Sequence, residues 1–250
     1  MSKSNLHNPI NTIVIVAALG YFVDIYDLIL FSIVRVKSLE SLGIIGEMNK
    51  TVGLQLLNTQ MIGMLLGGII WGVLGDKKGR LSVLFGTILL YSLANIANGT
   101  ITTLTQYFVY RFIAGVGLAG ELGVGITLVS EVMSKEKRGY GTTIVAGIGI
   151  AGAVAGFFVA DFFDWRMAYY VGGALGIALL ILRISVYESG MFTKIKSVQV
   201  KKGNFGALFT DKKRFGKFIR CILIGVPGWY VTGVLVSLSD KIGEIGRAHV

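Results

Sequence analysis

The chain has 250 residues, 53% hydrophobic and only 15% charged, with 35 glycines, 2 prolines and a net charge of +10. Its mean hydropathy is +0.70, and soluble domains carry about 25% charged residues, so a water-soluble core is a poor account of this chain, and its apolar content and lack of repeat exclude a disordered chain and collagen. The positive charge does not indicate nucleic acid, because the basic residues sit in alternate loops between apolar runs and no basic groove with interleaved aromatics occurs.

Taken in order, Met1 to Asn8 is short and polar, and the apolar run Ile10 to Val34 is too long for a signal-peptide core. That run is expected to be a retained first membrane helix. It carries two carboxylates, Asp24 and Asp27, three residues apart and therefore on one face. Arg35 to Thr51 reads as an external loop of mixed charge. Helix two is expected over Leu54 to Leu74, with Gly63, Gly67, Gly68 and Gly72 forming a close-packing stripe. Helix three, Leu81 to Ala97, follows a short basic turn, so the two helices are antiparallel neighbours and the turn faces the cytoplasm. Asp76 lies in that turn, where a carboxylate can meet free amides and the positive end of a helix dipole.

Asn98 to Thr105 is uncharged and reads as a short external turn. Helix four, Gln106 to Met133, holds Arg111 and Glu121 at membrane depth. Helix five is Gly141 to Phe163, and helix six is Ala168 to Val186. The densest positive charge follows, through Lys194, Lys196, Lys201, Lys202, Lys212, Lys213, Arg214 and Lys217, and is expected on the cytoplasmic face. Phe218 to Leu238 reads as helix seven. The expected division is a six-helix bundle over 1–187, a basic loop over 188–217, a seventh helix over 218–239 and a tail over 240–250. Glu244 to Val250 back-translates to a string that matches the start of a common sequencing adaptor, so these residues, His249 included, are not expected to be biological. The N-terminus is expected in the cytoplasm.

The stretch Gly72-Val73-Leu74-Gly75-Asp76-Lys77-Lys78-Gly79-Arg80 resembles the signature between helices two and three of the major facilitator superfamily of transporters. Gly72, Asp76, Lys77, Gly79 and Arg80 match, while Leu81 stands where a final basic residue is usual. Tyr26-Asp27 is similar to the Tyr-Asp of the sugar porters and metabolite:proton symporters, and Arg111 opens a stretch that resembles the superfamily's helix-four motif. Gly120-Glu121 resembles a Gly-Glu pair of the same symporters. Glu131, with Arg138-Gly139, and Glu188-Ser189 resemble two further loop signatures, each without its proline.

That resemblance implies an all-α membrane fold made of two six-helix halves with nested inverted repeats, a substrate site near the bilayer midplane, and rocking between two states. It implies that Asp27 is the proton-coupling group, with Arg111 as its partner, and that Asp24 is a second candidate. It implies that Arg111 can pair with a substrate anion and that Glu121 contacts substrate or relays the proton, with a hydrogen bond inside the bundle as the equal alternative for Glu121. It also implies a cytoplasmic gating network of Gly72, Asp76, Lys77, Gly79, Arg80, Glu131, Arg138 and Glu188. The plainer alternatives are a static ion pair that fixes helix registry, and solvated loop charges of little energetic weight.

No enzyme signature survives. Gly115, Gly117 and Gly120 fit a dinucleotide fingerprint by letters alone, inside a membrane helix with no preceding strand. Cys221 is single and has no metal signature. The expectation is a secondary transporter of the cytoplasmic (inner) membrane, monomeric at full length, that carries a small organic anion or sugar with protons. It uses a proton gradient and no cofactor, metal or nucleic acid. An antiporter or exporter, a passive facilitator, a non-transporting sensor and an inactive half-carrier fragment are the alternatives.

Overall fold

The computed structural model describes residues 12–78, 80–133, 137–188 and 206–231. Gly79, Ser134, Lys194, Lys196, Lys201, Lys202, the end of the expected seventh helix and the tail with His249 lie outside them. The described residues form eight helices and no strand: α1 (Thr12–Ser41), α2 (Glu47–Lys78), α3 (Arg80–Gly99), α4 (Leu104–Val132), α5 (Arg138–Phe162), α6 (Trp165–Glu188), α7 (Ala207–Thr210) and α8 (Lys212–Tyr230). Among the described residues, four stretches are long and apolar enough to cross a membrane, namely Val14–Ser41, Glu47–Lys78, Gly139–Phe162 and Trp165–Ser185, and Val83–Gly99 is a shorter apolar helix. The chain is an all-α, polytopic membrane protein.

Helices α1 to α6 belong to one compact unit and α7 and α8 to another. In the first, α1 packs against α5, α6, α4 and α2, while α4 packs against α2 and α3, and α3 against α6. One buried cluster gathers Tyr26, Leu30, Phe31 and Val34 of α1 with Leu56, Tyr107, Trp165 and Tyr169. In the second unit, Asp211 accepts a hydrogen bond from the Lys213 amide at 2.8 Å and caps α8. That cap starts the helix at Lys212, ahead of the expected Phe218.

Several polar residues that read as loop are helical, because the bundle supplies their partners. Asn49 of the expected external loop is buried and donates to the carbonyls of Val36 and Ile44 at 3.2 and 3.0 Å. Ser38 lies in α1, which runs on to Ser41. Asn98, expected in a turn, is buried in the last turn of α3, and Arg166 donates to the Gly99 and Ile101 carbonyls that follow it, at 3.1 and 2.9 Å. Trp165 is 4% exposed and packs in the core beneath the Arg166 guanidinium, at 4.2 Å. It anchors α6 from inside the bundle.

The glycine stripe of α2 is half as wide as expected. A methyl on Gly63 or Gly67 would collide with the α4 backbone at Phe112 or Val116, and one on Gly115 would collide with the Gln60 carbonyl in return. Gly68 and Gly72 have nothing within 4 Å of an added Cβ and are not part of the seam. Small residues therefore bring α2 and α4 to backbone contact along one line only. Gly115→Val is expected to destabilise the bundle by about 1–3 kcal/mol, while Gly68→Ala leaves it unchanged or slightly firmer. Thermal unfolding of both variants in detergent checks this, and equal shifts would rule out the one-sided seam.

Candidate functional site

Polar side chains are costly inside a membrane bundle unless they are paired, so their partners define what the interior can do. Two polar layers lie along α1, one at each of its carboxylates. Asp24 and Asp27 share a helix face, yet each faces a different set of neighbours.

At Asp27, which is 2% exposed, the Asn95 amide of α3 donates to Oδ2. Three residues on, and so on the same side of α3, Asn98 accepts a hydrogen bond from Arg111 Nε at 3.3 Å. The Asn98 amide nitrogen donates to the Ala94 carbonyl at 2.8 Å, which turns its oxygen towards Arg111. Gln60 of α2 accepts from Arg111 Nη1 at 3.4 Å. The expected pair of Asp27 and Arg111 is thus in one layer but is not in direct contact, since no ion pair joins the two among the described residues. A pair of amides on α3 stands between them. Arg111 still acts electrostatically on Asp27.

Arg111 is 1% exposed, and its guanidinium carbon lies 4.9 Å from the ring centre of Phe31, 4.7 Å from that of Tyr169 and 5.9 Å from that of Tyr107. Such ring faces stabilise a desolvated cation. The hydroxyls behind them form a directed chain. Ser38 donates to the Arg35 carbonyl at 2.9 Å, so its contact with Tyr107 at 2.9 Å must be one in which Tyr107 donates. Tyr169 then donates to Tyr107 at 2.7 Å, because each hydroxyl has one proton.

The second layer centres on Glu121, 2% exposed. Arg183 of α6 grips both its oxygens, with Nη1 donating to Oε2 at 2.9 Å and Nη2 donating to Oε1. Two parallel bonds of this kind are the strongest geometry for a guanidinium and a carboxylate. A side chain at Gly20 of α1 would collide with both partners. Asp24, one turn further along α1, is 4% exposed, and neither of its oxygens has a hydrogen-bond partner. Glu121, Arg183 and Asp27 all act on it electrostatically.

Arg183 was not among the residues singled out from the sequence, although it lies inside the apolar run of helix six and the rule that marked Arg111 marks it too. Gln60, Asn95 and Asn98 were also missed. Of the expected gating network, Gly72, Asp76 and Lys77 lie in the last two turns of α2, and Asp76 and Lys77 are exposed helical residues, not turn residues between two helices. Arg80 opens α3, Glu131 lies one residue before the end of α4, Arg138 opens α5 and Glu188 ends α6. Consecutive helices joined by short connections alternate in direction, so these ends share one face of the bundle. The side chains of Arg80, Glu131, Arg138 and Glu188 lie outside the described residues, as does Gly79. No cluster of metal-ligating side chains occurs among the described residues.

The profile of the Major Facilitator Superfamily matches residues 13–243. The chain belongs to this superfamily. It is 38% identical over 132 residues to the niacin transporter NiaP of Acinetobacter baylyi, a match covering 51% of this chain and 30% of that protein. It is 27% identical to the benzoate transport protein of the same organism, over 71% of this chain and 39% of that one. An inward-open structure of the xylose transporter XylE from E. coli matches with a TM-score of 0.63 at 18% identity, over 83% of this chain and 56% of XylE. The chain thus spans half or less of the length of these curated relatives, and its fold is that of the superfamily.

Breaking the Glu121–Arg183 pair from one side leaves a buried charge uncompensated. Arg183→Leu is expected to cost about 3–5 kcal/mol, and adding Glu121→Leu is expected to restore most of that loss. A double-mutant cycle on thermal unfolding reads the coupling, and additive losses would show that the two side chains do not depend on each other.

Proposed function

We propose that the chain is part of a proton-coupled symporter for small organic anions that works by alternating access. The observation that carries this reading is the Asp27–Asn95–Asn98–Arg111 layer, a carboxylate and a guanidinium buried in one membrane bundle, each hydrogen-bonded to an α3 asparagine and not to the other. A change of proton occupancy at Asp27 alters the field at Arg111 with no ion pair to break first. Arg111 then exchanges between its amide partners and a substrate carboxylate, for which a guanidinium edge is well matched. Two of the relatives are named for niacin and benzoate, both small carboxylic acids. A guanidinium at the centre of the layer favours an anion over a neutral sugar.

In this reading the solute binds near the midplane, the proton gradient supplies the energy, and the protein catalyses no covalent step. Glu121 is held by Arg183 and acts as an internal partner, not as a substrate ligand. Asp24 is the second proton candidate. The helix ends that carry Asp76, Arg80, Glu131, Arg138 and Glu188 form the gating face. The carrier sits as a monomer in the cytoplasmic membrane with its N-terminus inside.

Asp27→Asn preserves size and hydrogen-bonding capacity but removes the titrating group. In proteoliposomes, the variant of the full-length carrier is expected to lose benzoate accumulation driven by a proton gradient while benzoate counterflow persists. Undiminished accumulation would assign coupling elsewhere, and loss of counterflow as well would make Asp27 a binding residue.

A further inference from the structure

We propose that Gln60 and Arg111 together form the seat for a substrate carboxylate, with Gln60 as a specificity-determining residue that admits a monocarboxylate. This rests on the organic-anion reading above and names the atoms that serve it. Gln60 is 1% exposed and its amide nitrogen has no hydrogen-bond partner, and Arg111 Nη2 has none either. Two buried donors on adjacent helices without acceptors are an expensive arrangement for a membrane interior.

The orientation of Gln60 follows from the chemistry of its neighbour. Arg111 can only donate, so the Gln60 oxygen must face it, as it does at 3.4 Å, and the Gln60 nitrogen is left as the unsatisfied end. The rings of Phe31 and Tyr169 meet the guanidinium at 4.9 and 4.7 Å, but a ring face is a weak acceptor and does not replace a hydrogen bond to Nη2. A carboxylate has two oxygens and four lone-pair sites, and one such group satisfies both donors at once. The approach of α2 to α4 at Gly63, Gly67 and Gly115 holds Gln60 beside Arg111.

The charge balance of the layer sets the selectivity. Asp27 Oδ1 accepts no hydrogen bond and lies against Gly172 of α6, where an added Cβ would stand 2.8 Å away. The layer offers a solute one guanidinium, so a second carboxylate on the same solute would be buried with no cation to meet it, and the seat discriminates by that cost as well as by attraction. The aromatic rings cover the seat in this conformation, and they must part for a solute to enter.

The test uses the full-length carrier in proteoliposomes, with benzoate and nicotinate as probes and benzamide and phthalate as a neutral and a dianionic comparison. Gln60→Met keeps the volume and removes the donor. It is expected to raise KM for benzoate about tenfold to a hundredfold with little change in maximal rate, since one hydrogen bond to a charged group is lost. Gln60→Glu places a carboxylate beside Arg111 and is expected to abolish benzoate uptake in a protein that still folds, because the seat is filled from within. Gln60→Asn, shorter by one methylene, serves if the methionine variant does not fold, and an intermediate rise in KM is expected of it. Wild-type carrier is expected to bind neither benzamide nor phthalate with comparable affinity. An unchanged KM in Gln60→Met or Gln60→Asn, with benzoate uptake intact in the wild type, overturns the seat and leaves the organic-anion reading standing. A wild-type carrier that concentrates neither benzoate nor nicotinate overturns both.

Discussion

A guanidinium with 1% exposure in the middle of a membrane bundle constrains the arrangement around it. A guanidinium in such a place needs acceptors and polarisable surface from the helices beside it, and four of them supply these while Nη2 is left without an acceptor. Gln60 comes from α2, Asn98 from α3, Phe31 from α1 and Tyr169 from α6. Each contact is modest, at the long end of hydrogen bonding or at ring-stacking distance. Their sum places four helices around one side chain, and the position of α4 among them sets where Asp27 and Glu121 can lie.

Helix α1 pays for its two carboxylates in different ways. Asp27 is answered by an amide and Asp24 by none, while the nearby Glu121 takes both terminal nitrogens of the Arg183 guanidinium. The interior thus separates a firmly paired layer from a loosely paired one. The firm layer ties α4 to α6, and the loose layer holds a carboxylate and a guanidinium with no ion pair between them.

Much of this was legible in the sequence because charge is rare at membrane depth. Asp24, Asp27, Arg111 and Glu121 stand out from the apolar runs around them, and the Gly72 to Arg80 stretch marks both fold and hairpin. Pairing was not legible. Asp27 and Arg111 match as opposite charges, but only coordinates reveal that Asn95 and Asn98 stand between them. Arg183 carried the same signal as Arg111 and was passed over near the end of its run, close to the expected loop. Helix ends were misjudged for a related reason. Ser38, Asn49 and Asn98 read as loop residues because polarity was taken for solvent, whereas the bundle meets their hydrogen bonds internally.

The order of these residues along the chain bears on how the protein is made. Asp24 and Asp27 leave the ribosome with α1, well ahead of Arg111 on α4 and Arg183 on α6, and Glu121 likewise emerges before Arg183. Every acidic group of the interior therefore enters the bilayer before the cation that faces it. An isolated acidic residue at the centre of a helix costs about 2.5–3.5 kcal/mol on insertion scales. Early helices that entered the bilayer alone would carry that cost, and it falls only as their later neighbours arrive, so insertion and packing of these helices are coupled through their charges.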